Sequence, residues 1–185
     1  MNVWYSLSDI PGNEASVVTI GNFDGMHNGH KKVVSTCIER ARKLGVDAVA
    51  ITFDPHPIQV HKPEVGLQLI SPLRDRLDAM AAAGLDATLV AHYDASVYSL
   101  EAEEFVYEYL VERCGAREVV VGEDFRFGRG NAGTIDTLRE LGSRYGFGVI
   151  TVTDIEAPEG RRWSSSWVRE LLAAGDVSGA ARVLG

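Results

Sequence analysis

The chain alternates short runs of β-branched and other apolar residues with longer amphipathic stretches, and this alternation most constrains its fold. The strand-like runs are residues 17–20, 46–53, 87–91, 118–121 and 149–152. The helix-like stretches between them are residues 31–44, 72–83, 102–114 and 135–145. Apolar runs of this length, separated by helices, are typical of a parallel sheet that is covered on both faces. The sequence therefore predicts an α/β fold built on a Rossmann-like, doubly wound parallel sheet.

Glycines mark the boundaries between these elements. Four of them come directly after a predicted helix and before a predicted strand, where a left-handed helix C-cap is favoured: Gly45, Gly84, Gly115 and Gly146. After the last strand, a turn at 157–160 leads into a short helical C-terminal tail at residues 165–174 and 177–184. No internal repeat or interdomain linker interrupts the pattern, so we expect one domain over residues 1–185.

The charge balance limits the partners of the chain. Its 18 Lys and Arg residues against 26 Asp and Glu residues give a formal net charge of −8. An acidic chain has no overall field for nucleic-acid phosphates, so we expect no nucleic-acid partner, and an anionic ligand needs a local basic patch. Seven basic residues lie in or beside the loops expected at one edge of the sheet, which predicts an acidic body with a basic mouth: Lys31, Lys32, Arg126, Arg129, Arg161, Arg162 and Arg169.

The cysteines and the amino terminus bear on the compartment. Cys37 and Cys114 are too few for a disulfide framework and fall in helix-like stretches, so we expect core thiols. The opening sequence MNVWYSLSDIPG lacks the basic and apolar regions of a signal peptide. No apolar run approaches the roughly 20 residues of a membrane span. These features predict a soluble cytoplasmic protein with no membrane partner.

The first predicted strand runs into the segment GNFDGMHNGH, residues 21–30, which leads into a helix. Three glycines and two histidines, His27 and His30, therefore share one strand-to-helix turn. Glycines let the backbone approach a ligand closely, and the free amides and dipole of a helix N-terminus favour an anion. The pattern indicates a phosphate site. It is neither a GxGxxG fingerprint nor a GxxxxGK[ST] P-loop, which disfavours a dehydrogenase or a P-loop kinase.

Two other interpretations of these histidines stay open at this point. The H-x-x-H spacing is compatible with two metal ligands, with His56 or His61 as a third. The histidines are also compatible with an ordinary turn. A metal site leaves the glycines unexplained, and a plain turn leaves two imidazoles unexplained at the end of a strand, the most ligand-prone position of such a fold. We therefore favour phosphate binding and expect no protein-bound metal.

Four segments of the chain resemble one family. GNFDGMHNGH is similar to the HxGH signature of the nucleotidyltransferase superfamily, and its longer wording resembles the FMN adenylyltransferase (FAD synthetase) module of bacterial bifunctional riboflavin kinase/FAD synthetases. TFDPHP at 52–57, VGEDFRFG at 121–128 and WSSSWVR at 163–169 resemble further motifs of that family. The departures are Trp163 for an aliphatic residue, Ser166 for a threonine and Asn131 for a frequent arginine, and none removes a polar group that the chemistry needs.

The resemblance implies the nucleotidyltransferase fold and the reaction ATP + FMN → FAD + pyrophosphate, with Mg²⁺ bound chiefly through the ATP phosphates. It implies four catalytic residues: His27, His30, Ser165 and Arg169. It implies an ATP site made of Gly21, Asn22, Phe23, Asp24, Gly25, His27, Gly29, His30, Trp163, Ser164, Ser165, Ser166 and Arg169. It implies an FMN site made of Phe53, Asp54, Pro55, His56, Pro57, Asp124, Phe125, Arg126 and Phe127.

The aromatic pair of the VGEDFRFG segment has two possible roles. Phe125 and Phe127 flank Arg126, so strand alternation predicts both phenyl groups on one side and Arg126 on the other. Such a pair is equally compatible with core packing and with a platform that stacks on flavin or adenine.

Two functions compete with FMN adenylylation. The first is a related nucleotidyltransferase acting on another phosphorylated acceptor, which the TFDPHP and DFRFG segments disfavour. The second is a flavin- or nucleotide-binding module without catalysis, which the intact His27, His30, Ser165 and Arg169 disfavour. In the bifunctional relatives a riboflavin kinase barrel follows the adenylyltransferase module, and we expect that domain to be absent from these 185 residues.

Overall fold

A computed structural model describes residues 1–12, 14–153, 157 and 160–185. Within these residues, six parallel strands form one sheet in the order β1-β4-β3-β2-β5-β6. The strands are β1 (Asn2–Trp4), β2 (Ser16–Ile20), β3 (Asp47–Asp54), β4 (Ala87–His92), β5 (Ala116–Gly122) and β6 (Gly148–Val152). The predicted α/β class and the parallel sheet are thus confirmed. The turn predicted at 157–160 lies partly outside the described residues, because positions 158 and 159 are not among them.

The helices follow the predicted alternation. They are α1 (Asn28–Leu44), α2 (Pro57–His61), α3 (Leu73–Ala83), α4 (Ala95–Tyr98), α5 (Ala102–Phe105), α6 (Ile135–Tyr145), α7 (Ser165–Ala173) and α8 (Val177–Leu184). A π-helix, Val106–Arg113, continues α5. The four boundary glycines all have positive φ, between 54° and 99°, as their C-cap role requires: Gly45, Gly84, Gly115 and Gly146.

The sheet is buried on both faces, as its apolar strands predict. All five residues of β2 are buried, and neighbours along it face opposite sides of the sheet. Val17 packs with Cys37 of α1 in one hydrophobic cluster, and Val18 packs with Leu110 in the other. A fully buried valine or leucine is worth about 1.5–3 kcal/mol relative to an exposed one. These two apolar layers hold the loops at the strand ends in fixed relative positions.

Strand β1 is not part of the alternating helix and strand pattern that predicted the fold, and the two cysteines were the subject of a separate prediction. Strand β1, Asn2–Trp4, was not predicted because three residues are too few to show a period; it adds an edge by pairing with β4. Cys37 and Cys114 are both buried, and burial raises the pKa of each thiol to about 12, so the prediction of core thiols is confirmed. Among the described helices, none combines the length and hydrophobicity that crossing a bilayer takes.

The order of the strands creates a crevice at one edge. From β2 the chain builds β3 and β4 on one side, and it then returns to build β5 and β6 on the other side. The loops leaving β2 and β5 therefore diverge at the carboxyl ends of two neighbouring strands. In doubly wound sheets, this switch point is where ligands bind.

Candidate active site

The loop that follows β2 has an unusual backbone. Phe23 and Met26 adopt positive φ angles of 50° and 43°, and Gly25 between them has a φ of 81°. Both non-glycine side chains are buried, and this burial holds the left-handed conformation, which is costly for residues with a Cβ. A Cβ on Gly25 would lie only 2.8 Å from the side chain of Ile70, so position 25 requires glycine for both conformation and space.

The two histidines of the loop lie against each other at the start of α1. His27 is the N-cap residue, and its Nδ1 accepts a hydrogen bond from the backbone N–H of His30 at 3.4 Å. The two rings stack with their centroids 3.7 Å apart. A Cβ on Gly29 would lie 3.1 Å from the His27 ring, so this glycine leaves room for the imidazole. Because Nδ1 accepts, a neutral His27 carries its proton on Nε2.

Both imidazoles are neutral near pH 7. Burial lowers the pKa of His27 to about 4, with help from the nearby Arg162 cation, while the Asp24 and Asp124 carboxylates oppose the shift. Burial also lowers the pKa of His30 well below its usual value, and His27 and Arg162 add to the effect. The Nδ1 atom of His30 is buried and has no hydrogen-bond partner among the described residues. An unpaired buried polar atom is uncommon and often marks a functional site.

The carboxylate of Asp24 organises the region around the loop. It is buried, and it accepts hydrogen bonds from the backbone N–H groups of Ile70 and Ser71 at 3.0 Å. It also pairs with the guanidinium of Arg169 from α7. The hydroxyl of Ser165 donates to the backbone carbonyl of Asp24 at 2.9 Å. Asp24 therefore joins the loop after β2 to the segment before α3 and to the start of α7.

One cavity of about 330 Å³ opens at the switch point, and we call it the histidine cavity. The carboxyl ends of β2, β5 and β6, the first turn of α1 and the residues before α7 line it. Its lining consists of Ile20, Gly21, Phe23, His27, Gly29, His30, Val33, Gly122, Asp124, Phe125, Val152, Thr153, Arg162, Trp163 and Ser164. It combines a helix N-terminus, two neutral imidazole donors and a guanidinium, which suits a polyphosphate.

A second cavity of about 300 Å³ lies on the other side of Gly21 and Phe125, and we call it the aromatic cavity. It shares Ile20, Gly21 and Phe125 with the histidine cavity. Its remaining lining is largely apolar and aromatic: Asn22, Phe53, Pro57, Tyr93, Val97, Tyr98, Phe105, Arg126, Phe127, Gly128 and Asn131. Such a lining suits a planar aromatic ligand. The two cavities therefore offer two chemically different sites that meet at one wall.

Comparison with known proteins agrees with this arrangement. The FAD synthetase family model matches residues 9–167. The chain belongs to the FAD synthetase family. A relative from Geobacillus thermodenitrificans is 38% identical over 176 residues, which cover 95% of this chain and 91% of that protein. The bifunctional riboflavin kinase/FMN adenylyltransferase of Escherichia coli K12 is 34% identical over 181 residues, or 98% of this chain. The chain spans 57% of the length of that relative.

Solved structures support the fold of this FAD synthetase family member. A structure from Streptococcus pneumoniae, named a macrolide-efflux protein, superposes with a TM-score of 0.86 at 27% identity and covers 100% of this chain and 61% of its own. A pantoate-β-alanine ligase from Francisella tularensis superposes with a TM-score of 0.60 at 13% identity, covering 96% of this chain and 76% of its own. At this identity the ligase shows a similar fold alone.

The residues predicted for ATP fall into four groups in this FAD synthetase family chain. Seven line the histidine cavity: Gly21, Phe23, His27, Gly29, His30, Trp163 and Ser164. Asn22 lines the aromatic cavity instead. Asp24 accepts hydrogen bonds from Ser165 at its backbone carbonyl and from Arg169 at its carboxylate, and Arg169 Nε also donates to the Gln68 carbonyl at 2.7 Å. Gly25 and Ser166 line neither cavity.

The residues predicted for FMN also fall into separate groups in the structure. Five line the aromatic cavity: Phe53, Pro57, Phe125, Arg126 and Phe127. Asp124 lines the histidine cavity, where it pairs with Arg162 at 2.7 Å. His56 is buried and caps α2 by accepting from the N–H of Ile58 at 3.1 Å. Asp54 and Pro55, which are joined by a cis peptide bond, line neither cavity.

The phenylalanine pair contributes both to the core and to the cavity walls. The two rings stack with centroids 5.4 Å apart, so the prediction that they share one side is confirmed. Strand β5 ends at Gly122, however, so a turn and not strand alternation brings them together. Phe127 is buried in the main core cluster, whereas Phe125 is half-buried and lines both cavities.

The expected basic mouth is largely neutralised. Four of its arginines pair with carboxylates: Arg129 with Glu101, Arg161 with Glu170, Arg162 with Asp124, and Arg169 with Asp24. The sequence showed the arginines but not their partners, because three of the four acidic residues come from distant segments. An anionic ligand here competes with these carboxylates for the guanidinium groups.

Sequence reasoning missed two tyrosines of the aromatic cavity. Tyr93 and Tyr98 follow β4, and the Tyr93 hydroxyl lies 2.9 Å from Nε2 of His61. The signal that could have found them is their place just beyond the carboxyl end of a parallel strand, where ligand-binding residues gather. A buried arginine, Arg76 of α3, was also missed, since nothing in its local sequence distinguishes it from the exposed Arg74.

Proposed function

We propose that this chain is an FMN adenylyltransferase, which transfers the adenylyl group of ATP to FMN and gives FAD and pyrophosphate. One observation carries the proposal: a cavity suited to a polyphosphate and a cavity suited to a planar aromatic ring meet at Gly21 and Phe125. A reaction that joins a nucleotide to a flavin needs such a pair of adjoining sites. Relatives of this chain named as bifunctional riboflavin kinase/FMN adenylyltransferases support this activity.

In this proposal, ATP occupies the histidine cavity. His27 donates Nε2–H to a phosphate oxygen, since its Nδ1 is engaged by the backbone N–H of His30. The His30 ring supplies a second donor, and the first-turn amides of α1 add the favourable field of a helix N-terminus. Arg162 exchanges its Asp124 carboxylate for phosphate oxygens. Neutral imidazoles serve here because a hydrogen-bond donor needs no positive charge.

FMN occupies the aromatic cavity with its phosphate directed toward Gly21. The isoalloxazine ring packs among Phe53, Tyr93, Tyr98 and Phe125, which supply apolar and aromatic contacts. Because Phe125 belongs to both cavities, its ring lies between the flavin and the nucleotide. A glycine at position 21 lets the two substrates approach along the backbone without an intervening side chain.

The chemistry is a single displacement at phosphorus. An oxygen of the FMN phosphate forms a bond to the α-phosphorus of ATP, and the bond from that phosphorus to the bridging oxygen of the β-phosphate breaks. Pyrophosphate leaves in line with the attacking oxygen. The nucleophile is already an anion, so the protein needs no general base, and positioning and charge stabilisation supply the rate enhancement. Ser165 and Arg169 support this geometry through Asp24, which holds the loop.

Magnesium enters as part of the Mg-ATP substrate. Among the described residues, no group of three or more His, Cys, Asp or Glu side chains is placed to hold a metal ion. The two carboxylates nearest to the histidines, Asp24 and Asp124, already pair with Arg169 and Arg162. Magnesium commonly keeps several waters and binds through substrate phosphates, which fits a site without a carboxylate cage.

The direct test is to incubate the protein with Mg-ATP and either FMN or riboflavin and to follow FAD, FMN and pyrophosphate by chromatography. We expect FAD and pyrophosphate from FMN, and no FMN from riboflavin. Adenylylation of another phosphorylated acceptor, with FMN inert, would identify a different nucleotidyltransferase. Binding of both substrates without turnover would identify a non-catalytic binding module.

The His30→Ala variant tests the site itself. We expect it to fold and to lose most FAD synthesis, because the cavity loses one of its two imidazole donors. His92→Ala is the matched control, since the His92 side chain is 72% exposed and lines neither cavity. Unchanged turnover in His30→Ala would refute the catalytic assignment.

A further inference from the structure

Arg76 of α3 is a fully buried arginine, with only 1% of its surface exposed. Arginine is almost never buried to this extent unless its guanidinium is paired and hydrogen-bonded. Arg76 lines neither cavity, and none of the motifs in the sequence contains it. The role of this buried cation is therefore a separate question from the substrate contacts.

The guanidinium of Arg76 connects the ends of two neighbouring strands. Its Nη1 donates to the Asn22 carbonyl at 3.0 Å and to the Phe53 carbonyl at 3.2 Å, and its Nη2 donates to Asp54 Oδ1 at 3.1 Å. Nη1 also lies 3.4 Å from the hydroxyl of Thr52, which itself donates to the Asn22 carbonyl at 3.2 Å. One side chain thus fixes the first loop residues after β2 relative to the last residues of β3.

The two backbone segments that Arg76 connects both contribute to the lining of the aromatic cavity. Asn22 and Phe53 both line it, and Asn22 also begins the strained loop that ends at His27. The cation is desolvated, and Asp54, the carboxylate that pairs with it, is 43% exposed. Its field reaches the neighbouring His56, whose pKa is lowered by burial first and by the Arg169 and Arg76 cations as well.

We propose that Arg76 is a positioning residue for the flavin substrate. By holding Asn22 and Phe53 at a fixed separation, it sets where the FMN phosphate lies relative to the ATP on the far side of Gly21. This inference rests on the proposed adenylyl transfer to FMN, and it assigns to Arg76 a role that a purely structural arginine would not have. Displacing a reacting group by about 1 Å costs on the order of 100-fold in rate, so a small shift of this wall is measurable.

The test uses Arg76→Met and Arg76→Lys. Methionine fills similar space but has neither charge nor donors, whereas lysine keeps the charge as a compact ammonium that cannot span the carbonyls and the carboxylate together. Arg42→Met is the matched control, because Arg42 also pairs with a carboxylate, Asp86, and a carbonyl, but beyond the amino ends of the strands. Each variant is assayed for kcat and for KM of both substrates, and its folding is checked by circular dichroism and thermal unfolding.

For Arg76→Met we expect kcat to fall by about 100-fold and KM for FMN to rise, while KM for ATP changes by less than about twofold. Arg76→Lys should show the same pattern with a smaller loss. Arg42→Met should lower the melting temperature and leave all three kinetic constants unchanged. The selective effect on FMN is the readout that a structural role alone would not produce.

Three results would overturn the inference. The first is an equal rise of KM for FMN and KM for ATP in Arg76→Met, or no change in kcat or in either KM. The second is wild-type kinetics in Arg76→Lys, which would show that a positive charge suffices and that simultaneous hydrogen bonds to the carbonyls and the carboxylate are not needed. Arg76→Lys also tests the inference if Arg76→Met does not fold. The third is the same kinetic pattern in Arg42→Met. Failure of the wild-type protein to make FAD from FMN would instead refute the proposed function.

Discussion

Acidification should destabilise the fold through His27, and the structure sets the size of the effect. The folded-state pKa of His27 is about 4, against 6.5 for the free side chain. Between pH 6.5 and pH 4, the unfolded chain therefore binds a proton at His27 that the folded chain does not bind. The stability that is present above pH 6.5 is lost as the pH falls toward 4. At pH 5 the two protonation equilibria differ by a factor of about 30, or about 2 kcal/mol of the free energy of unfolding.

The assay is urea denaturation of the wild type and of His27→Asn at several values between pH 8 and pH 5. Asparagine is a favoured N-cap residue, so its side-chain oxygen replaces the Nδ1 acceptor of His27 and preserves the start of α1 without titrating. His56 remains in both proteins and cancels in the comparison. His30 also remains, and its contribution is largely shared because burial, rather than His27, is the main cause of its lowered pKa.

We expect the free energy of unfolding to fall by about 2 kcal/mol more in the wild type than in His27→Asn between pH 8 and pH 5. The same depressed pKa predicts that kcat/KM for Mg-ATP shows no ionisation near pH 6.5, because His27 is already neutral there in the free protein. Parallel loss of stability in the two proteins would refute the reasoning, since it would show that His27 titrates normally in the fold.

Three further predictions concern the loop and the wall between the cavities. Gly29→Ala should leave the melting temperature unchanged or raise it, because alanine favours the helix. It should lower kcat, because the added Cβ would lie 3.1 Å from the His27 imidazole and displace it. A lower melting temperature together with an unchanged kcat would contradict this prediction. Asp24→Asn should cost about 3 kcal/mol in urea denaturation, because it leaves the Arg169 cation without its carboxylate, and a cost within error of zero would refute that role. Phe127→Ala should cost about 3–5 kcal/mol as a core deletion. Phe125→Ala should lower the free energy of unfolding by less than Phe127→Ala does, but it should reduce the rate of FAD synthesis by more. The reverse ranking would show that the roles of the two residues are exchanged.

The fold was predictable because its signals are local. Five of the six strands, the main helices and the glycine C-caps follow from apolar periods and from residues that tolerate positive φ, and each can be read within a window of about 15 residues. Strand β1 carries too few residues for such a signal. The histidine loop was predictable for the same reason, since its glycines, its histidines and the start of α1 are contiguous.

The polar network around the site was not predictable, because its pairs lie far apart in the chain. Asp24 was predicted as part of the ATP site, and only the fold brings it to Ser71 and Arg169. Arg162 was predicted as part of a basic mouth, yet its carboxylate partner Asp124 lies 38 positions earlier and is invisible to local sequence reading. The burial of Arg76 likewise depends on where α3 packs, which no local pattern encodes.

The hydrogen bonds of the Asp24 loop also bear on what the site needs in order to form. Ser165 and Arg169 reach this loop across 141 and 145 positions of sequence, so these contacts close loops that span most of the chain, at a large cost in chain entropy. Without a docked α7, the buried carboxylate of Asp24 would lack its cation. The loop after β2 therefore depends on a helix near the far end of the chain, although the loop itself is encoded within ten residues.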